Sequence, residues 1–244
     1  MDKLYLTEKI YEHNDKLFYE EKNKIKEIKN TNWHIHLREY GWSKLHISWI
    51  KKLNKLKLNN LKEKSSKNSL YGILDCGENG DCLFHCISYA LNHELIYNSS
   101  NLRYELSEYI TEENYKMIID YYRIFKLSDD FDENWDLENM TFEEFKEKIK
   151  IGGDEYWGDF FMISLLQDYL NVNFIILNSN YDTNEHYYYP LVKEYDENKK
   201  TIMLLYENNI HFQLIGHFQD GNMKTILTHQ EIPKEMLYLI KYLR

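Results

Sequence analysis

The order of apolar and polar residues changes rhythm along this chain of 244 residues. Over residues 4–28, Leu4, Ile10, Tyr11, Leu17, Phe18, Ile25 and Ile28 recur among charges at helical spacing, which predicts a helix there. A second helix is predicted over residues 43–64, with Leu45, Ile47, Ile50, Leu53, Leu56 and Leu61 as its apolar stripe. Residues 63–69 are polar and aperiodic and predict a linker. A short strand is expected over 70–74, then a Gly-containing turn at 76–81, then a helix opening near Cys82 with Leu83, Ile87, Ala90 and Leu91 on one face. Further helices are predicted over 101–126, 141–150 and 156–170, and Thr141 and Glu144 stand at capping-box spacing. The period then shortens to that of strands, over 172–177, 187–192, 201–206 and 210–215, with Asn, Asp and Gly between them. Helices first and strands last predict an α+β fold with helices around a mostly antiparallel or mixed sheet.

Composition narrows the class. Hydrophobic residues make up 43% and aromatic residues 16%, too much apolar surface for a disordered chain. No run of about 18 apolar residues is present, and the first residues lack the basic-then-apolar order of a signal peptide, so the expected setting is the cytoplasm, without a transmembrane segment. The Lys and Asn richness is in keeping with an AT-biased genome, and for a virus or intracellular parasite the compartment becomes the host cytosol. The net charge of −10 is uneven: residues 1–70 carry 16 basic and 9 acidic residues, so the remainder carries 14 and 31. A body at −17 repels phosphate, so no nucleic-acid partner is expected for it. The boundary is placed in the linker, giving a helical N-terminal extension over 1–66, whose helices are open to an unknown partner, and a second domain over 67–244. Trp33, Trp42 and Trp49 suit either core packing or a partner-binding face.

Candidate chemistry concentrates in two segments. Asn79-Gly80-Asp81-Cys82-Leu83-Phe84 places a thiol at the first turn of a helix, after a glycine turn. Unsatisfied N–H groups and the helix dipole there favour a thiolate, and the same N–H groups can hold an oxyanion. Around 204–215 the chain reads as strand, turn and strand, with His211 and Gln213 on one face of the returning strand. An imidazole can accept the thiol proton, and a polar neighbour can hold its tautomer. His217, six positions on, is a reserve base. Cys76, Cys82, Cys86 and His85 lack a C-x-x-C pair, so no metal is expected.

Together the blocks resemble the ovarian-tumour (OTU) family of cysteine proteases and deubiquitinases. The likeness is carried by Asn79-Gly80-Asp81-Cys82-Leu83-Phe84-His85-Cys86-Ile87, by Thr141 to Phe145 followed by Trp157-Gly158-Asp159 and residues 165–177, and by His211-Phe212-Gln213-Leu214-Ile215. The resemblance implies a papain-type fold, Cys82 as nucleophile, His211 as general base, Gly80, Asp81 and Cys82 in the oxyanion loop, Trp157 as packing support, and no cofactor. It further implies cleavage after the C-terminal glycine of ubiquitin or a ubiquitin-like protein. Two positions depart from the family pattern: Asn79 stands three before the cysteine, where the family has Asp, and Gln213 two after the histidine, where many members have Asp or Asn. The third catalytic residue thus stays open among Gln213, Asn79 and Asp81. The alternatives are an OTU-like module that grips ubiquitin with little catalysis, and a papain-like protease acting at other glycine-containing sites. The protease reading requires the sulfur of Cys82 and the ring of His211 to come within proton-transfer reach.

Overall fold

The computed structural model describes residues 3–64, 69–77, 80–91, 98–127, 135–153, 156–179, 191–208 and 210–242. They form two compact units, Met1–Cys76 with Asn173–Arg244, and Gly77–Val172.

The first unit opens with a four-stranded antiparallel meander, β1 (Leu4–Tyr5), β2 (Ile10–His13), β3 (Lys16–Glu21) and β4 (Lys24–Glu27). This corrects the helix expected over 4–28, and with it the wholly helical N-terminal extension. The reason is in the turns. Asn14 and Asp15, and again Lys22 and Asn23, have φ of 50 to 62°, and the pairs His13↔Lys16 and Glu21↔Lys24 close two-residue hairpins around them. Two consecutive left-handed residues match the twist of a hairpin and cannot lie inside a right-handed helix. The apolar positions serve both readings, because Ile10, Leu17 and Ile28 also end on the buried side of the meander.

A short helix α1 (Trp33–His36), a single 3-10 turn, β5 (Trp42–Lys44), helix α2 (Ile47–Asn59) and β6 (Tyr71–Leu74) complete the N-terminal part of this unit. The linker expected at 63–69 falls largely on residues 65–68, outside the described residues, as do residues 187–190 of the strand expected over 187–192. The chain returns as β7 (Val172–Asn178), β8 (Lys200–Glu207), β9 (His211–Gln219), β10 (Asn222–Lys224), β11 (Ile226–Leu227) and α8 (Lys234–Tyr242). The seven-stranded sheet runs β11-β8-β9-β6-β5, with β10 on β9 and β7 on β8. Strand β9 is central, antiparallel to both β8 and β6. The sequence pattern missed β10, although Asp220-Gly221 is a hairpin signal and both residues have positive φ.

Leu45, Trp49 and Leu53 pack with Tyr71, Ile73, Met203, Leu205 and Ile215 of the sheet and with Met236 and Leu239 of α8. Elsewhere on the sheet, Gly72 and Gly216 are register partners across β6 and β9. A Cβ on Gly216 would lie 2.7 Å from the Trp42 ring and 2.8 Å from the Met223 sulfur, so glycine makes room for an indole against the strand. Trp33, Trp42 and Trp49 are all buried, with Trp33 Nε1 donating to the Ser69 carbonyl and Trp49 Nε1 to that of Asn178. Of the two readings offered for these tryptophans, core packing holds.

The second unit contains α3 (Cys82–Leu91), α4 (Ser99–Tyr109), α5 (Glu112–Leu127), α6 (Phe142–Lys150) and α7 (Phe160–Tyr169). The expected helix over 101–126 divides because Ile110 is extended and Thr111 and Asn114 exchange capping hydrogen bonds that start α5 afresh. The capping box of Thr141 and Glu144 forms as the spacing predicts. The α+β class stands. Gly216→Ala is expected to lower stability by roughly 2 kcal/mol through overpacking against Trp42, measured by urea unfolding; an unchanged midpoint would show that the indole moves aside freely.

Candidate active site

In the second unit, Cys82 is the first residue of α3 and is 7% exposed. The helix begins where the His85 N–H donates to the Asp81 carbonyl. The preceding loop is held from below by Arg103 of α4, which is 1% exposed. Its Nε donates to Asp81 Oδ1 at 2.6 Å, Nη2 to the carbonyls of Gly80 at 3.2 Å and Tyr156 at 3.0 Å, and Nη1 to the carbonyl of Ile149 at 3.2 Å. The guanidinium also lies 4.1 Å from the centre of the Phe84 ring. Burial pulls the Arg103 pKa down from its usual value, and attraction to Asp81 and, more weakly, to Cys82 opposes that pull.

Both carboxylate oxygens of Asp81 are engaged, because Oδ2 accepts the Gly153 N–H at 3.2 Å. Gly80 has φ of +79°, and a Cβ there would sit 2.0 Å from the Gly153 carbonyl oxygen and 3.0 Å from the Trp157 ring. Only glycine fits. Because the Gly80 carbonyl is drawn to Arg103 and the peptide is planar and trans, the Asp81 N–H points away from the guanidinium. Asn79 lies outside the described residues.

In the first unit, His211 begins β9. Its Nε2 lies 3.3 Å from Asp75 Oδ1, with the two side chains 22% and 50% exposed. Leu74 pairs with Leu214, and one further step of that register sets Asp75 opposite Gln213 with His211 on the diagonal, within reach of a short side chain. Gln213 Oε1 is buried and has no hydrogen-bond partner among the described residues. His217 lies further along β9, its ring centre 4.9 Å from that of Tyr71 and its Nδ1 3.2 Å from Gln219 Oε1. Burial depresses its pKa to about 4. Among the described residues no group of three or more His, Cys, Asp and Glu side chains could hold a metal ion, and no helix is long and apolar enough to cross a membrane.

The sequence model of the OTU-like cysteine proteases matches residues 78–218, more than half of the chain and the stretch that holds both Cys82 and His211. The chain belongs to the OTU-like cysteine protease family. No curated protein matches it. Among solved structures, an ovarian tumor (OTU) domain in complex with ubiquitin is 17% identical, with 70% of this chain and 85% of that one covered and a TM-score of 0.43. The OTUD1 OTU domain is 15% identical over 78% and 93%, with a TM-score of 0.38. An OTU deubiquitinase from Wolbachia pipientis wMel is 12% identical over 69% and 95%, with a TM-score of 0.40.

In this OTU-like protease Gly158 and Asp159 of the Trp-Gly-Asp block are packed within the second unit. A Cβ on Gly158 would meet Leu83 of α3 at 2.4 Å, and Asp159 caps α7 by accepting the Met162 N–H while also accepting the Tyr122 hydroxyl. Trp157 remains 43% exposed, with its ring beside Gly80. Sequence reasoning missed Arg103 and Asp75. Arg103 stands among apolar positions on a helix face, at Leu102 and Leu106, which hints at a satisfied buried cation. Asp75 carries no local signal, since only the pairing of β6 with β9 sets it beside His211.

Two measurements test these contacts. Arg103→Met leaves four acceptors without their donor and is expected to cost about 3 kcal/mol in denaturant unfolding, whereas a change within experimental error would show the loop to be self-supporting. His217 has a folded pKa below its unfolded value of 6.5, so its contribution is present above pH 6.5 and lost as pH falls towards 4. Unfolding free energy should therefore decline by roughly 3 kcal/mol across that window through this residue, and His217→Gln should flatten the decline.

Proposed function

We propose that this OTU-like protease is a thiol isopeptidase that cleaves the bond after the C-terminal glycine of ubiquitin or a ubiquitin-like modifier. One observation carries the reading: a single family match spans a thiol at the first turn of a helix and an imidazole held by a carboxylate. Cys82 and His211 stand on different compact units of the chain, and the proposal assigns them nucleophile and base. His211 takes the thiol proton, the thiolate adds to the scissile carbonyl carbon, and the oxyanion is met by N–H groups of the Gly80-Asp81-Cys82 loop. The C–N bond then breaks as the imidazolium returns its proton to the leaving amine. Water, deprotonated by His211, adds to the thioester; the C–S bond breaks, the acid product leaves and the proton returns to sulfur.

Cys76, Cys82 and Cys86 are all free thiols, which suits a reducing compartment such as the cytosol. The acidic body complements a basic modifier tail. Trp157, exposed beside Gly80, serves as packing support that shields one side of the loop.

A ubiquitin probe with a C-terminal propargyl group should label Cys82 covalently, Cys82→Ala should abolish both labelling and turnover of di-ubiquitin while unfolding normally, and His211→Ala should lower kcat about a thousandfold. Tight ubiquitin binding without labelling would replace the enzyme by a binding module. Equal cleavage of an unfolded glycine-rich peptide would replace ubiquitin by general glycine-site proteolysis.

A further inference from the structure

We infer that Asp75, seven residues before the nucleophile position and outside the catalytic motif, is the positioning residue that holds the His211 imidazole, in the place that Gln213 or Asn79 would take by motif alignment. The inference rests on the functional reading above.

Three observations converge on it. Asp75 Oδ1 is an acceptor within hydrogen-bond distance of a His211 ring nitrogen. Gln213, the motif's position for this task, keeps its Oε1 buried and unpartnered among the described residues, so no imidazole N–H donates to it there. Asp81, the other acidic candidate, has one oxygen on Arg103 and the other on Gly153 and is committed to the loop.

The chemistry favours Asp75 further. A carboxylate at Nε2 selects the tautomer with the proton on Nε2, which leaves the lone pair on Nδ1 as the basic nitrogen. When Nδ1 takes a proton, the resulting imidazolium faces a negative charge, which a glutamine amide does not supply. The carboxylate is half exposed, so the ring is steered without a buried charge to neutralise. Its placement follows from strand pairing. Strand β6 ends at Leu74, which pairs with Leu214, and that register delivers the diagonal contact.

The test compares Asp75→Asn, Asp75→Ala and Gln213→Ala in the full chain, by di-ubiquitin kinetics and by 15N NMR of the His211 ring at a pH where it is neutral. Asp75→Ala should lower kcat about a hundredfold with KM little changed, Asp75→Asn about tenfold because the amide still accepts the N–H, and Gln213→Ala less than about threefold. In the spectrum the native protein should show the Nε2–H tautomer, retained in Gln213→Ala and redistributed between the two nitrogens in Asp75→Ala. A larger kinetic loss in Gln213→Ala than in Asp75→Ala, or ring spectra identical in native protein and Asp75→Ala, would overturn the assignment. If the native chain turns over no ubiquitin substrate, the functional reading fails while the ring spectra still decide whether Asp75 holds His211.

Discussion

A buried guanidinium organises the half of this protein that bears the thiol. Arg103 is withdrawn from water, and a charge in that position is tolerated only if its donors are met. Its partners come from three separate stretches of chain: the Gly80-Asp81 loop with the Phe84 ring that follows it, the end of α6 at Ile149, and the segment before α7 at Tyr156. Satisfying one side chain therefore fixes the backbone that leads into α3. It also explains the glycines around it. Gly80 must approach the Gly153 carbonyl, and Gly158 must approach Leu83, at separations that no Cβ permits.

The half that bears the imidazole follows a different logic. Strand β9 is enclosed on both sides by β8 and β6, so its backbone is paired along most of its length and its two histidines differ only in what surrounds their rings. At the inner end, His217 is packed on Tyr71 and kept neutral by burial, with its pKa near 4. At the outer end, where the strand emerges from the core, His211 is partly open and has a carboxylate beside it. One strand thus carries a buried histidine and a partly exposed one. Burial along the strand distinguishes the two, and alternation alone cannot, since both residues occupy the same parity.

Elements whose determinants are local were readable from the chain. The start of α3 at Cys82, the capping box of α6, and strands β6, β7, β8 and β9 follow from capping residues, glycine turns and continuous apolar runs, and they lie where the pattern places them. The N-terminal meander was misread because Ile10, Leu17 and Ile28 satisfy a helical stripe and a buried strand face equally, and the deciding signal was the conformation of Asn14-Asp15 and Lys22-Asn23. Short strands such as β5 and β11 are three and two residues long and gain their order from neighbours in the sheet.

By itself, then, the sequence determined the α+β class, the family, and the two candidate reactive side chains, because a thiol after a glycine turn and a histidine on a paired strand are properties of short contiguous segments. Only the tertiary structure decided what surrounds them. Asp75 and Gln213 are 138 positions apart in the chain and become neighbours through strand register, and Arg103 reaches Gly80 and Asp81 by helix packing. Contacts of that kind depend on how distant segments are brought together, and no local rule of propensity or spacing encodes which carboxylate will arrive beside an imidazole.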